Sequence, residues 1–177
     1  MAGTIGKLDR GRGHDLFLHA LGAAPGVWGI VIGKGPYLET LQKLARRLAV
    51  AGRLAFPGYV EAGLEDLYAA MDVFVFPAAG SDHAHRAIAE AAGCGTPALA
   101  ADLPGVLDLV EPGVTGDVYP ADDAAALAVR IAAWGRDPAK RGAAGAAAAA
   151  RARSLWTPQT LAAAALELYR SLAPGLA

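Results

Sequence analysis

A single cysteine, Cys94, stands in 177 residues. It excludes an internal disulfide and a cysteine-rich zinc site, and it points to a reducing compartment. Its expected place is a small buried position in a helix-to-strand turn. Charge is also scarce: 19% of residues are charged and the net charge is −1 at pH 7. No overall field therefore draws the chain to nucleic acid or to an anionic membrane, and any anion site must be local. No uninterrupted run of about 18 apolar residues occurs, which leaves no transmembrane segment, and no charged stretch precedes an apolar leader. A cytoplasmic location is expected. Also missing is G-x-G-x-x-G: "IVIGKGP" offers only Gly33 and Gly35, with no acidic residue at dinucleotide-site spacing. A dehydrogenase reading is weak on that ground.

What is present is 54% hydrophobic residues, enough in a chain of this length to bury a core. The Ala- and Gly-rich stretch "RGAAGAAAAARAR" reads as a bias of genome composition. Short apolar runs alternate with helical patterns along the whole chain. Strands are expected at 4–8, 28–33, 53–58, 72–77, 96–102 and 116–120. Helices are expected over 14–24, 37–50, 64–71, 84–93, 122–134, 138–153 and 158–172, with a single turn near 105–110. Thr157 and Pro158 in "WTPQT" suit the cap and first position of the last helix. Strands apolar on both faces and separated by helices imply a parallel sheet covered on both sides. The expected fold is a doubly wound, Rossmann-like α/β domain of about six strands, in one domain spanning 1–177. Such sheets bind ligands at the carboxyl ends of their strands. Four of those ends carry unusual chemistry: Lys7 to Arg12, Gly33 to Pro36, Pro57 to Val60, and Pro77 to Arg86.

The first end, "GKLDRGRGHD", puts Lys7 and Arg12 around a loop that opens into a helix. A helix N-terminus favours anions, and basic side chains beside it suit a diphosphate; ordinary surface charge is the alternative. The fourth, "SDHAHRAIAEAAGCGTP", sets Asp82 eight positions before Glu90. The plain readings are a helix cap for Asp82 and a solvated helix position for Glu90. Asp82, His83 and His85 have loose spacing for a metal site and no second cluster behind them. Paired catalytic carboxylates lie roughly 5–9.5 Å apart, whereas eight helical residues span about 12 Å. The pair suits opposite ends of an extended ligand such as a nucleotide sugar.

Together with "LAFPGYV", "LYAAMDVFVFP" and "GTPALAADLPGVLDLVEPGVTGDVYPADD", these segments resemble the C-terminal, donor-binding domain of the GT-B glycosyltransferases, especially the retaining family 4 (glycosyl transferases group 1). The resemblance covers nearly the whole chain. It implies that Asp82 bonds hydroxyls of the donor hexose and Glu90 bonds the ribose, as the two acids of an E-x7-E motif. It implies that Lys7 and Arg12 hold the diphosphate and stabilise it as the leaving group. The backbone at Gly33, Gly35, Tyr59 and Val60 would line the base, while His83, Ala84, His85 and Arg86 would line the sugar and phosphates. No metal or other cofactor is expected in this domain. Asp82 stands where the family has Glu, and "HAH" (83–85) where many members have a Gly. Lys7 and Arg12 exchange the family's Arg and Lys. The partner implied is a nucleoside diphosphate sugar, with a second, acceptor-binding domain in front of this one; that full-length enzyme is compatible with peripheral membrane association. The chain alone is expected to bind nucleotide weakly and turn over little, and the apolar face of the last helix (Leu161, Leu166, Leu168) to be partly uncovered. Three other readings stay open: a degenerate, regulatory nucleotide-binding module; half of a non-hydrolysing sugar-nucleotide epimerase; and a phosphate-binding structural module.

Overall fold

The fold was obtained as a computed structural model, which describes residues 1–77 and 85–172. Six short strands form one sheet: β1 (Ala2–Ile5), β2 (Gly29–Ile32), β3 (Leu54–Gly58), β4 (Val73–Phe76), β5 (Ala98–Ala101) and β6 (Gly116–Tyr119). Every pairing is parallel, and the spatial order is β3-β2-β1-β4-β5-β6. Period-two alternation sends neighbouring residues to opposite faces. Val31, Val73, Val75 and Leu99 enter one apolar core; Ile30, Ile32, Phe74, Phe76 and Ala98 enter the other. Because both faces are covered, β2, β4 and β5 are buried throughout, which is why they read as continuous apolar runs.

Helices α1 (His14–Gly22), α2 (Leu38–Arg47) and α5 (Ala124–Gly135) cover the first face. Phe17, Leu21, Leu41 and Trp134 are the large fully or nearly fully buried side chains there, each contributing roughly 1.5–3 kcal/mol by leaving water. Helices α3 (Leu64–Ala69) and α4 (Arg86–Gly93) cover the second face through Tyr68 and Ile88. Helix α6 (Pro138–Leu155) crosses α4 on small residues: a Cβ at Gly145 would lie 2.2 Å from the Gly95 carbonyl oxygen. Asp123 and Asp137 cap α5 and α6, accepting from the amides of Ala126 (2.8 Å) and Lys140 (2.9 Å). Helix α7 (Pro158–Leu172) begins as "WTPQT" predicts: the Thr157 hydroxyl accepts from the Thr160 amide, and the Thr160 hydroxyl from the Thr157 amide. No α7 residue is buried, and Leu161, Leu166 and Leu168 are more than half exposed, so the apolar face is uncovered as expected. Among the described residues, no helix is long and apolar enough to cross a membrane.

One strand lies off its expected place. "TIGKL" (4–8) reads as the first strand, yet β1 ends at Ile5, and Gly6, Lys7 and Leu8 belong to the loop beyond it. Leu8 misled the periodicity: it is apolar because its side chain is fully buried, anchoring that loop into the core. The shift matters, since it frees Lys7 from the sheet and places it at a strand's carboxyl end. From β1 the chain winds outward through β2 and β3, then returns to β4 on the other side of β1. The switch point therefore lies between β1 and β4.

Candidate functional site

A cavity of about 710 Å³ opens over the carboxyl ends of β1, β2 and β4, within the usual range for small-molecule sites. Its floor is backbone. The Gly6 amide donates to Ile32 O (3.0 Å), the Leu8 amide to Lys34 O (3.0 Å), and the Gly33 amide to Gly58 O (2.8 Å). These bonds tie the loops after β1, β2 and β3 together. Gly33 has φ +141°, and a Cβ there would stand 1.9 Å from the Gly6 oxygen; one at Gly35 would stand 2.3 Å from the Leu8 oxygen. Only glycine allows this approach.

Among the described residues, four cationic ones line the cavity, Lys7, Arg12, Lys34 and Arg86, against two carboxylates, Glu61 and Glu90. On a chain of net charge −1 this positive lining is a local feature, as any anion site here must be. Lys7 Nζ lies 2.7 Å from Asp9 Oδ2 and remains mostly exposed. Lys34 Nζ sits 4.4 Å above the Tyr59 ring. The N-terminus of α1 also opens here, adding the positive end of its dipole.

His14, the first residue of α1, is 2% exposed. Its Nε2 lies 3.2 Å from Lys7 O, so that nitrogen carries the proton and donates to the carbonyl. Nδ1 has no partner among the described residues. Burial lowers the pKa of His14 from its ordinary value, with Lys7 and Asp15 acting the other way. The ring is therefore neutral at pH 7 and pins the loop bearing Lys7.

Glu90 is not a solvated helix position. Its Oε2 accepts from the Tyr68 hydroxyl at 2.9 Å and its Oε1 from Arg86 Nε at 2.9 Å. Burial, then the Glu90 charge, pushes the Tyr68 phenol well above its ordinary range, so it is a donor at neutral pH.

The structure brings Lys7, Arg12, Gly33, Gly35, Tyr59, Val60, Arg86 and Glu90 to this one cavity. His85 is not among its lining residues; its ring packs 5.4 Å from that of Phe76, beside Gly105. Asp82, His83 and Ala84 lie outside the described residues. Among the described residues no group of three or more His, Cys, Asp or Glu could hold a metal ion. Sequence reasoning missed Thr4, His14, Lys34, Glu61 and Tyr68. Of these, only Lys34 carried a signal, a cation between the two glycines of "GKG".

Sheet order, switch point and cavity define a Rossmann-like α/β domain with a cation-lined cavity at the usual ligand position for that fold. Comparison with known proteins narrows this. The family described as glycosyl transferases group 1 matches residues 1–151, and the chain belongs to that family. A GDP-mannose-dependent alpha-(1-6)-phosphatidylinositol monomannoside mannosyltransferase of Mycolicibacterium smegmatis is 32% identical, covering 93% of this chain and 46% of its own length. The lipopolysaccharide core biosynthesis mannosyltransferase LpsB of Rhizobium meliloti is also 32% identical, covering 96% and 51%. Among solved structures, Anabaena HepE in complex with UDP superposes with a TM-score of 0.88 at 27% identity, covering 96% of this chain and 48% of that one. The chain thus spans about half the length of the curated relatives it matches. Its fold is one Rossmann-like half of the GT-B architecture.

Proposed function

We propose that this chain is the donor-binding half of a retaining glycosyltransferase that moves a hexose from a nucleoside diphosphate sugar to an acceptor such as a glycan or a lipid-linked saccharide. The observation that carries the reading is the cavity itself: Lys7, Arg12 and the α1 N-terminus line it together with the glycine floor and the anchored carboxylate of Glu90. Cations and a helix N-terminus suit a diphosphate. A fixed carboxylate suits sugar hydroxyls, which donate to it. The mannosyltransferase and UDP-bound relatives support the same reading.

In this mechanism Lys7 and Arg12 neutralise the charge that grows on the diphosphate as the bond between the sugar's anomeric carbon and the phosphate oxygen breaks. The acceptor hydroxyl oxygen bonds the anomeric carbon with its configuration kept, and the hydroxyl proton passes to the departing diphosphate oxygen. Glu90 accepts from the ribose. Asp82 is assigned the donor hexose, with His83, Ala84 and Arg86 beside the sugar and phosphates, and Gly33, Gly35, Tyr59 and Val60 at the base. The acceptor site belongs to a second domain, in keeping with relatives about twice this length. The reaction takes place in the cytoplasm, and the lone Cys94 accords with that compartment.

Calorimetric titration with UDP, GDP and ADP, then with their sugars, tests the reading on wild type and Glu90→Ala. One diphosphate is expected to bind, weakly, and the substitution to lower its affinity about tenfold, the usual cost of a lost hydrogen bond to a charged group. Equal affinity in the two proteins, or no binding by the wild type, overturns it.

A further inference from the structure

The cavity has a residue behind its wall. Tyr68 is 1% exposed and does not line the cavity, yet its hydroxyl donates to Glu90 Oε2 at 2.9 Å. It is fixed at both ends. Its ring packs edge-on against Phe74 of β4, centroids 5.6 Å apart and planes at 71°. Its main-chain carbonyl accepts from the buried Thr96 hydroxyl at 2.7 Å. The other holder of Glu90, Arg86, lies on the same helix with a side chain 83% exposed. Exposed pairs of that kind are screened and lose side-chain freedom, so they fix a carboxylate poorly.

We propose that Tyr68 is the positioning residue that orients Glu90 toward the ribose hydroxyls of the donor, giving the site its preference for a ribonucleotide. The inference rests on the donor-site reading of Glu90. A glutamate side chain has free torsions that must be frozen when it meets a ligand. Tyr68 freezes them beforehand, which removes that cost from binding. A carboxylate offers about four lone-pair directions. Tyr68 and Arg86 occupy two, and those left serve the cavity. A vicinal diol fills them with two donors. A ligand lacking the hydroxyls leaves part of the charge unpaired, which is how a polar site rejects a deoxy analogue.

The test compares UDP and GDP with their 2′,3′-dideoxy forms on wild type, Tyr68→Phe, Glu90→Ala and the double variant, alongside denaturant unfolding of all four. Tyr68→Phe keeps the buried ring, so the fold is retained. It is expected to weaken the ribonucleotide about tenfold and to leave the dideoxy form unchanged. In the Glu90→Ala background, which has no acceptor for the phenol, the same change is expected to have no further effect on either ligand. Equal loss for both ligands reveals a merely structural role and overturns the inference, as does an undiminished ribose preference in Tyr68→Phe. A wild type that does not distinguish the two forms, or binds neither, overturns the ribose reading of Glu90 itself. In the unfolding cycle, additive effects of the two substitutions overturn the Tyr68–Glu90 contact without any ligand.

Discussion

Single residues in this chain separate into those whose chemistry is visible in a string and those whose chemistry is created by folding. Lys7 and Arg12, which stand at a strand end, and Glu90, which drew notice by its spacing from Asp82 and by the family resemblance, were singled out in the sequence and line one cavity. Tyr68 and His14 were not singled out. "LEDLYAAM" and "HDLFLHAL" read as helices with core stripes, and nothing local reveals that the phenol meets a carboxylate twenty-two positions on. His14 carries a pH signature. Because burial holds its folded pKa below the ordinary 6.5, the unfolded chain takes up the proton first as pH falls. The stability this gives is present above about pH 6.5 and is lost as pH drops through the folded value. Chemical denaturation at about pH 7 and about pH 5 is therefore expected to show a smaller acid loss in His14→Gln than in wild type. The glycine floor offers a second check. Gly35→Ala sets a Cβ 2.3 Å from the Leu8 oxygen, and backbone cannot yield as a side chain does. A loss of about 2–3 kcal/mol is expected by urea denaturation.

At the scale of elements, the strands and helices were legible because apolar periodicity and turn residues agree along most of the chain. The exceptions have physical causes. β1 shifted toward the N-terminus because Leu8 is buried from a loop, and burial from a loop looks like a strand in a string. The helix expected from Ala84 begins at Arg86 among the described residues. Capping was legible at Thr157 but not at Asp123, which fell inside the helix expected over 122–134 and instead caps it, accepting from Ala126 N at 2.8 Å. Replacing Asp123 by alanine is expected to cost about 1 kcal/mol, read by thermal melting. Helix α7 lies at the other extreme. It carries no buried residue, so its amides are expected to exchange with solvent much faster than those of α1, whose Phe17, Leu18 and Leu21 are fully buried. Hydrogen exchange reads both helices in one experiment.

At the scale of the whole molecule, alternation alone implied a covered parallel sheet but not its order. Strand order depends on which side of β1 the chain returns to after β3, a choice made by packing across the whole domain rather than by any one segment. That choice puts the switch point between β1 and β4, and the cavity with it. Of the two carboxylates of the proposed donor clamp, Asp82 lies outside the described residues. Among the described residues the cavity holds four cations against two carboxylates in a chain of net charge −1, so its positive charge is local. Nucleoside diphosphate affinity is accordingly expected to fall as salt rises, since exposed cations are screened within a Debye length of about 8 Å at physiological ionic strength.

The central claim is that the nucleotide lies in the cavity over β1, β2 and β4. Amide shift mapping by NMR tests it most directly on a chain of 18.0 kDa. The account predicts that the tightest-binding nucleoside diphosphate shifts the amides of Gly6, Lys7, Gly33, Gly35, Val60 and Glu90 and leaves those of β6 and α7 in place. Shifts concentrated on β6 or α7, with the glycine floor unmoved, would contradict it.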